Sequence, residues 1–210
     1  SGQGRPAAKL ATSGIYDSVA EELAEVSRMI ESRLHSPCGE VDTLLAHARQ
    51  MSGKQMRPVL LLLCGKSIGH CGSSHIALAA AVEMVHLATL IHDDVIDGAE
   101  SRRHLETVHR KWGNKTGVLL GDFLFTHSFS LAAGTGNAEA VQMLAEASNG
   151  VCEGEIKQNL WQRRFSMTQS DYLAMIGQKT GALVAAACGI GALLSDAEPA
   201  VVDSFSAFGR

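Results

Sequence analysis

The 210-residue sequence is poor in aromatic residues, has no closely paired cysteines and has little net charge, and each shortage excludes a class of protein. Aromatic residues make up only 5% of the chain, and its β-branched residues show no sustained alternation with polar ones, so strands are not expected. The five cysteines are an odd number without a Cys-x-x-Cys pair, which argues against a disulfide framework and indicates a reducing, cytoplasmic compartment. A net charge of −4 gives no electrostatic footprint for nucleic acid.

Long apolar runs are also missing. The longest, from Gly181 to Leu194, has 14 residues, whereas a membrane-spanning helix needs about 20. No membrane span is therefore expected, and the Ala and Gly content of this run favours a helix packed closely against others. We expect residues 1–13 to form a flexible arm.

Helical periodicity is what the sequence does have. Apolar residues recur at three- and four-residue steps from Ile15 to Leu34, which predicts one amphipathic helix. Ser73 or Ser74 is the expected N-cap of a long helix that runs from Ile76 to Asp97. Residues 99–114 are expected as a loop or short helix, and further helices are predicted over 41–51, 57–68, 117–133, 139–159, 170–176, 180–194 and from 199 onwards. The sequence thus predicts a single all-α domain over residues 1–210.

An acidic pattern, Asp-Asp-x-x-Asp, ends the long helix. Asp93 and Asp97 are four residues apart, so on a helix they are neighbours on one face. Two carboxylates this close repel each other, and a hard divalent cation such as Mg²⁺ would relieve the repulsion while leaving positions for phosphate oxygens. The alternative is a solvated acidic helix end.

Basic clusters flank these acids. Gly53-Lys54-Gln55-Met56-Arg57-Pro58 precedes them, and Arg102-Arg103 follows. Lys and Arg side chains bind phosphate oxygens through charge-assisted hydrogen bonds, so this arrangement suits a diphosphate. His86 lies seven and eleven residues before the two acids, within about 40° of them around a helix of 3.6 residues per turn.

Taken in order, these pieces closely resemble the trans-isoprenyl diphosphate synthases. They are Gly-Lys-x-x-Arg-Pro, Glu-Met-x-His leading into His-Asp-Asp-x-x-Asp, Arg-Arg, Leu-Gly-Asp-Phe-Leu-Phe and Gln-Lys-Thr. The resemblance as a whole runs from about Ile15 to Arg210. The similarity is greatest to the long-chain, octaprenyl-type polyprenyl diphosphate synthases. It implies an isoprenoid-synthase-type helical bundle around a central cavity.

The resemblance also implies roles for individual residues. Asp93, Asp97, Lys179 and Thr180 are the implied catalytic residues, and Asp93 and Asp97, with Asp94, the implied ligands of Mg²⁺. Isopentenyl diphosphate is expected to bind Lys54, Arg57, His86 and Arg103. The allylic diphosphate is expected to bind Arg102, Lys179 and Gln178. For Lys54, Arg57 and Arg102, plain surface charge is the alternative.

The implied reaction joins isopentenyl diphosphate head-to-tail to an allylic diphosphate. Ala88 and Thr89, five and four residues before Asp93, are expected to set product length, because an aromatic residue there blocks the product tunnel in short-chain members of the family. Their small size predicts a long polyprenyl product and predicts that Ala88→Phe shortens it. Ala88 could instead be small to let another helix pack closely. The family is also expected to form homodimers, with the helix 117–133 and its Phe123, Phe125 and Phe129 as candidate interface.

One feature of the family is missing. No second aspartate-rich motif follows Gln178-Lys179-Thr180 in these 210 residues, so we expect the sequence to be truncated before that motif and its C-terminal helices. The alternatives are a geranylgeranyl or farnesyl diphosphate synthase, a terpene cyclase or head-to-head condensing enzyme, and a non-catalytic partner subunit. A second diphosphate-binding cluster argues against a cyclase, and the intact first acidic motif argues against a partner subunit.

Overall fold

The computed structural model describes residues 10–162 and 166–210, and nearly all of its regular structure is helical. Residues 1–9 of the expected flexible arm lie outside the described residues, whereas residues 10–13 already belong to the first helix. The elements in chain order are α1 Leu10–Asp17, α2 Ala20–Arg33, α3 Gly39–Gln50, α4 Met56–Ile68, α5 Ser73–Asp97, β1 Ser101–Arg102, β2 Leu105–Glu106, α6 Val108–Trp112, α7 Asn114–Ala133, α8 Ala138–Trp161, α9 Gln169–Ile176, a π-helical turn Gly177–Gly181, α10 Ala182–Leu193 and α11 Pro199–Phe208.

Helix α5 is the centre of the bundle. It packs against α2, α4, α7 and α10, and every residue from His75 to Val85 is buried. A helix that is apolar on all sides has to be surrounded by other helices. Its ends are set by local chemistry: Gly72 donates its N–H to Nδ1 of His75 at the start, and Gly98 ends it with φ of 64°. The predicted Ser73 or Ser74 cap is therefore wrong, because the helix already begins at Ser73.

The predicted helix from Ile15 to Leu34 is two helices. Val19 leaves the helical conformation, with φ −128° and ψ 17°, and its side chain has no exposed surface. The break between α1 and α2 thus allows Val19 to enter the core. Periodicity did not reveal the break because apolar residues continue at the same spacing on both sides of it.

The segment 99–114 contains a small hairpin that the sequence did not predict. Strands β1 and β2 pair antiparallel, with Arg102 opposite Leu105, and the short helix α6 follows them. The expected absence of strands is wrong here, although the architecture remains an all-α bundle. The hairpin turn, Arg103 and His104, has positive φ at both residues, 53° and 67°, as a tight two-residue connection requires.

The small-residue helix packs closely, as predicted. Helix α10 lies against α4, α8 and α11, and its residues from Ala185 to Ala192 are all buried. With α9 and the π-helical turn it forms one stretch, Gln169–Leu193, that is longer than the 14-residue run noted in the sequence. By length and composition that stretch and Ser73–Asp97 are both capable of spanning a membrane, but 50% and 78% of their most apolar windows are buried inside the bundle. Burial of this kind is typical of core helices.

Candidate active site

Four predicted diphosphate ligands line one cavity. Lys54, Arg57, His86 and Arg103 surround a cavity of about 480 Å³ between the start of α4, helix α5 and the β1–β2 hairpin. Its volume is in the range of small-molecule sites. We call these four residues, with Glu83, the cationic cavity. The predicted ligands are separated by up to 49 residues in the sequence, and the fold brings them to one cavity.

The backbone at two positions is shaped to bring Arg103 into this cavity. Arg103 has φ of 53°, a conformation that costs energy for a residue other than glycine and that persists where surrounding structure holds it. Across the cavity, a Cβ added to Gly53 would lie 2.3 Å from the Arg103 guanidinium. Glycine at position 53 therefore leaves room for this position of the guanidinium, and a larger residue would require the flexible Arg103 side chain to shift.

The cationic cavity also holds one buried acid. Glu83 is 6% exposed, and neither its Oε2 nor Nε of Arg57 has a hydrogen-bond partner among the described residues. Burial raises the pKa of Glu83, against the opposing charges of Arg57 and Arg103, and burial lowers the pKa of Arg57. A ligand with acceptor oxygens would supply a partner for the Arg57 guanidinium, whereas the Glu83 carboxylate needs a donor, since ionised carboxylates only accept hydrogen bonds.

His86 is neutral in this environment. Burial, together with the charges of Arg57, Arg103 and Arg102, lowers its pKa to about 3. A neutral imidazole offers one N–H donor to a phosphate oxygen without adding charge. His86 also joins the cavity to the acids, because all of them lie along α5.

The acids form a second site next to the cavity. Asp93 is largely buried, Asp97 is exposed at the last position of α5, and neither is in the lining of the cationic cavity. Burial, with the charges of Glu155 and Asp97, raises the pKa of Asp93 to about 6. Nζ of Lys179 lies 3.6 Å from Oδ2 of Asp93 and also contacts Glu155. Asp93, Asp97, Glu155 and Lys179 are called the acidic cluster below.

Lys179 reaches these acids from a π-helical turn, Gly177–Gly181. Such turns are rare and occur frequently at functional sites. The turn packs against α8, where a Cβ on Gly154 would lie 2.8 Å from the backbone nitrogen of Lys179. Close contact with α8 therefore places Lys179 beside Glu155, the next residue on that helix.

Asp94 faces another direction and is occupied by Arg102. It is 1% exposed, and its Oδ1 accepts hydrogen bonds from Nε of Arg102 at 2.9 Å and pairs with Nη2 at 2.8 Å. A buried bidentate pair of this kind fixes the hairpin on the end of α5. Asp94 was predicted as a metal ligand and Arg102 as an allylic diphosphate contact; in this structure each is the partner of the other.

The remaining predicted residues lie in different places. Gln178 accepts a hydrogen bond from Lys157 and faces a groove between α8, α10 and α11, so the structure does not bring it to Asp93. Thr180 is exposed on the π-helical turn. Ala88 has no exposed surface and belongs to the hydrophobic core, whereas Thr89 is partly exposed and lies within about 40° of Asp93 around the helix. The position of Ala88 matches the alternative of close helix packing.

Two site residues were missed in the sequence. Glu83 was part of the quoted Glu-Met-x-His pattern but received no role, and Glu155 lies in a segment with no assigned pattern. A signal for Glu83 exists: an acid within a run of apolar helix residues is rarely fully buried without a partner. For Glu155 only the tertiary contact with Lys179 reveals the role.

The acidic cluster fits a divalent cation that also binds phosphate. Among residues 10–162 and 166–210, no three His, Cys, Asp or Glu side chains are grouped closely enough to hold a metal ion on their own. Asp93 and Asp97 supply two hard oxygen ligands one helical turn apart, and a cation between them would offset the burial and the charges of Glu155 and Asp97 that raise the pKa of Asp93. Mg²⁺ commonly takes one or two carboxylates and completes its shell with water and substrate phosphates.

Comparison with known protein families gives one family for most of the chain. Residues 39–210 match the model of the polyprenyl synthetase family. The chain is 36% identical over 196 residues to heptaprenyl diphosphate synthase component 2 of Geobacillus stearothermophilus and 31% identical over 196 residues to octaprenyl diphosphate synthase of Escherichia coli. In both comparisons the match covers 93% of this chain and 61% of the relative, so the chain spans about three fifths of their length.

Solved structures agree with these relatives. The fold matches a decaprenyl diphosphate synthase from Rhodobacter capsulatus with a TM-score of 0.90 and 36% identity, over 94% of this chain and 61% of that one. It also matches a polyprenyl synthase from Caulobacter crescentus, complexed with calcium and isoprenyl diphosphate, with a TM-score of 0.89 and 34% identity, over 93% of this chain and 60% of that one. The all-α fold is thus confirmed.

Proposed function

The chain belongs to the polyprenyl synthetase family, and from this membership we propose that it is a prenyltransferase that joins isopentenyl diphosphate head-to-tail to an allylic diphosphate. The observation that supports this most is the pairing of two adjacent sites of opposite charge along α5. One is the cationic cavity and the other is the acidic cluster. A reaction between two diphosphates needs two such sites, whereas a cyclase needs only one.

In this proposal the cationic cavity binds isopentenyl diphosphate. Lys54, Arg57 and Arg103 bind the phosphate oxygens, and neutral His86 donates one hydrogen bond. The charge of Glu83 offsets one of the three positive charges, so the repulsion among Lys54, Arg57 and Arg103 is weaker. The bound molecule then presents its double bond towards the acidic cluster.

The acidic cluster binds the allylic diphosphate through a divalent cation, for which we propose Mg²⁺. Held by Asp93 and Asp97, Mg²⁺ would supply charge stabilisation for the departing diphosphate. Lys179 lies beside Asp93 and is placed to donate to the same oxygens. Arg102 holds the hairpin against α5 through Asp94, which closes this end of the site. The buried apolar residues of α5 and α7 exclude water from the reactive carbons.

We further propose a long-chain product. The relatives named above as heptaprenyl, octaprenyl and decaprenyl synthases favour it, although a geranylgeranyl diphosphate synthase of Methanosarcina mazei is 33% identical over 204 residues. Thr89 is the small residue one turn before Asp93 on the same face of α5, and it leaves room for a growing chain. Ala88 is packed in the hydrophobic core and has no exposed surface.

A homodimer in a reducing, cytoplasmic compartment is also proposed. All five cysteines are free, which supports the compartment. The core packs against Phe123, Phe125 and Phe129 of α7. This packing favours a role for the three rings in the core instead of at the dimer interface. The exposed apolar residues of the same helix are Val118 and Leu119, 44% and 58% exposed, and they replace the phenylalanines as the proposed contact. A monomer mass by light scattering at micromolar concentration would contradict the dimer.

The test is direct assay of the purified protein with Mg²⁺, radiolabelled isopentenyl diphosphate and an allylic primer. Chromatography of the extracted products gives their chain length. We expect labelled products longer than geranylgeranyl diphosphate. No incorporation from the protein alone, with incorporation restored by a second subunit, would favour the partner-subunit alternative.

A further inference from the structure

Lys179 is shared between two carboxylates that come from different helices. Its Nζ contacts Oε2 of Glu155 on α8 and lies 3.6 Å from Oδ2 of Asp93 on α5. Both acids are largely buried, with side chains 14% and 17% exposed. Burial by itself lowers the pKa of Lys179, but the contact with Glu155 and the charge of Asp93 outweigh this and raise it. The Lys179 side chain thus lies between one carboxylate on α8 and one on α5.

The sharing affects what Asp93 can bind. A metal ion and an ammonium group compete for the same carboxylate oxygen, so a lysine paired tightly with Asp93 would weaken metal binding there. In the structure the direct contact is with Glu155, and Asp93 is the more distant partner. Glu155 is held in place because Gly154 allows the π-helical turn to lie against α8.

We propose that Glu155 is a positioning residue that prevents Lys179 from pairing directly with Asp93. The Asp93 carboxylate is then open to a divalent cation, and the Lys179 ammonium stays close enough to that cation to bind a phosphate group of the substrate. The importance of Glu155 for turnover rests on the proposed function, whereas its effect on metal binding does not. Glu155 acts only through Lys179 in this scheme. That dependence separates positioning from the simple loss of a negative charge near the cation.

Binding of Mn²⁺ to the purified protein, followed by electron paramagnetic resonance of the free ion, tests this inference. The variants are Glu155→Gln, Lys179→Gln and the double variant. Glu153→Gln is the matched control, because Glu153 lies on the same helix, is 58% exposed and pairs with Lys157 instead. Circular dichroism and thermal unfolding establish that each variant folds, and Glu155→Asp replaces Glu155→Gln if the latter does not.

Glu155→Gln should weaken Mn²⁺ binding about fivefold, a change typical of one partly buried charge interaction, while Glu153→Gln has no effect. Lys179→Gln should strengthen binding. In the Lys179→Gln background, Glu155→Gln should change Mn²⁺ affinity very little. An equal loss in both backgrounds would overturn the inference, because it would show direct charge loss without positioning, and so would unchanged affinity in Glu155→Gln.

Kinetics separate this inference from the proposed function. If the protein is a prenyltransferase, Glu155→Gln should lower kcat and leave the KM for isopentenyl diphosphate unchanged, since that substrate occupies the cationic cavity. If wild-type protein has no turnover but the Mn²⁺ cycle behaves as expected, the proposed function fails and the inference stands. If turnover is normal and the effect of Glu155→Gln on Mn²⁺ affinity does not depend on Lys179, the proposed function stands and the inference fails.

Discussion

The cationic cavity and the acidic cluster are opposite in charge but alike in plan. Each has several side chains of one sign and a single side chain of the other: Glu83 among Lys54, Arg57 and Arg103, and Lys179 among Asp93, Asp97 and Glu155. They differ in the partners of the oppositely charged residue. Lys179 contacts two acids, whereas Oε2 of Glu83 has no hydrogen-bond partner among the residues described.

This difference in partners indicates which kind of ligand each site would bind. In the acidic cluster the lysine already neutralises part of the charge, and the remaining need is a cation that bridges Asp93 and Asp97. In the cationic cavity Nε of Arg57 has no partner among the described residues, and an anion with several acceptor oxygens would bind the arginines that line the cavity. The predictions below test whether the two sites act separately on two substrates.

The largest effect is expected from the acidic cluster. Asp93→Asn or Asp97→Asn should reduce kcat by roughly a thousandfold, because a bound metal ion contributes several kcal/mol of charge stabilisation. Circular dichroism should remain that of the folded protein, since Asp97 is exposed and neither residue packs the core. Steady-state kinetics with both substrates measure the change. Near-normal kcat in either variant would remove the metal role from these acids.

A smaller effect, confined to the other substrate, is expected from the cationic cavity. Arg57→Ala should raise the KM for isopentenyl diphosphate by about 10- to 100-fold, the size of one or two charge-assisted hydrogen bonds. The KM of the allylic diphosphate should not change. Arg57→Lys should recover only part of the loss, because lysine lacks the planar fork.

Arg28→Ala is the matched control for this measurement, because Arg28 is 70% exposed and its Glu25 contact is 4.0 Å long. Its kinetics should match those of the wild type. Equal increases in both KM values for Arg57→Ala would contradict two separate sites.

Product length should depend on residues next to the acidic cluster and not on the cationic cavity. Thr89→Phe is expected to shorten the product by at least one isoprene unit, because Thr89 is partly exposed one turn before Asp93. The sequence predicted this effect for Ala88→Phe, but Ala88 is fully buried, so phenylalanine there should instead overpack the core at a cost of about 1–3 kcal/mol. Chromatography of products and urea unfolding distinguish the two outcomes. A shorter product from Ala88→Phe at full stability would favour the original assignment.

The smallest effect concerns acid stability. The folded pKa of His86 is lowered from 6.5 to about 3, so the folded protein binds fewer protons than the unfolded chain between these values and loses stability as the pH falls through them. His86→Gln should therefore lose less stability than wild type between pH 7 and pH 4.5, measured as urea midpoints. Part of the acid destabilisation should remain in His86→Gln, because burial also lowers the pKa of His75.

The exposed His104 provides the control for that titration. His104→Asn suits the positive φ of 67° at this position, and its urea midpoint at pH 7 should match that of the wild type because His104 is exposed. The same pH dependence in wild type and His86→Gln would show that His86 is not buried in its neutral form.

Much of this architecture follows from residue order. Asp93, Asp97 and His86 are on one helix, so the 3.6-residue period determines that they share a face, and the apolar content of α4, α5 and α10 determines that these helices lie inside. Local rules also account for Gly98 at the end of α5 and Pro199 in the first turn of α11. These relations involve neighbours within a few residues, where backbone geometry leaves few alternatives.

Only the tertiary structure decided the contacts between elements. That Asp94 is taken by Arg102, that Glu155 contacts Lys179, that Glu83 enters the cationic cavity and that Ala88 is core while Thr89 is open all depend on how helices pack. Packing sums many small contacts over segments distant in sequence, so no local pattern encodes it. The sequence determined which residues could do this chemistry, and helix packing determined which of them meet.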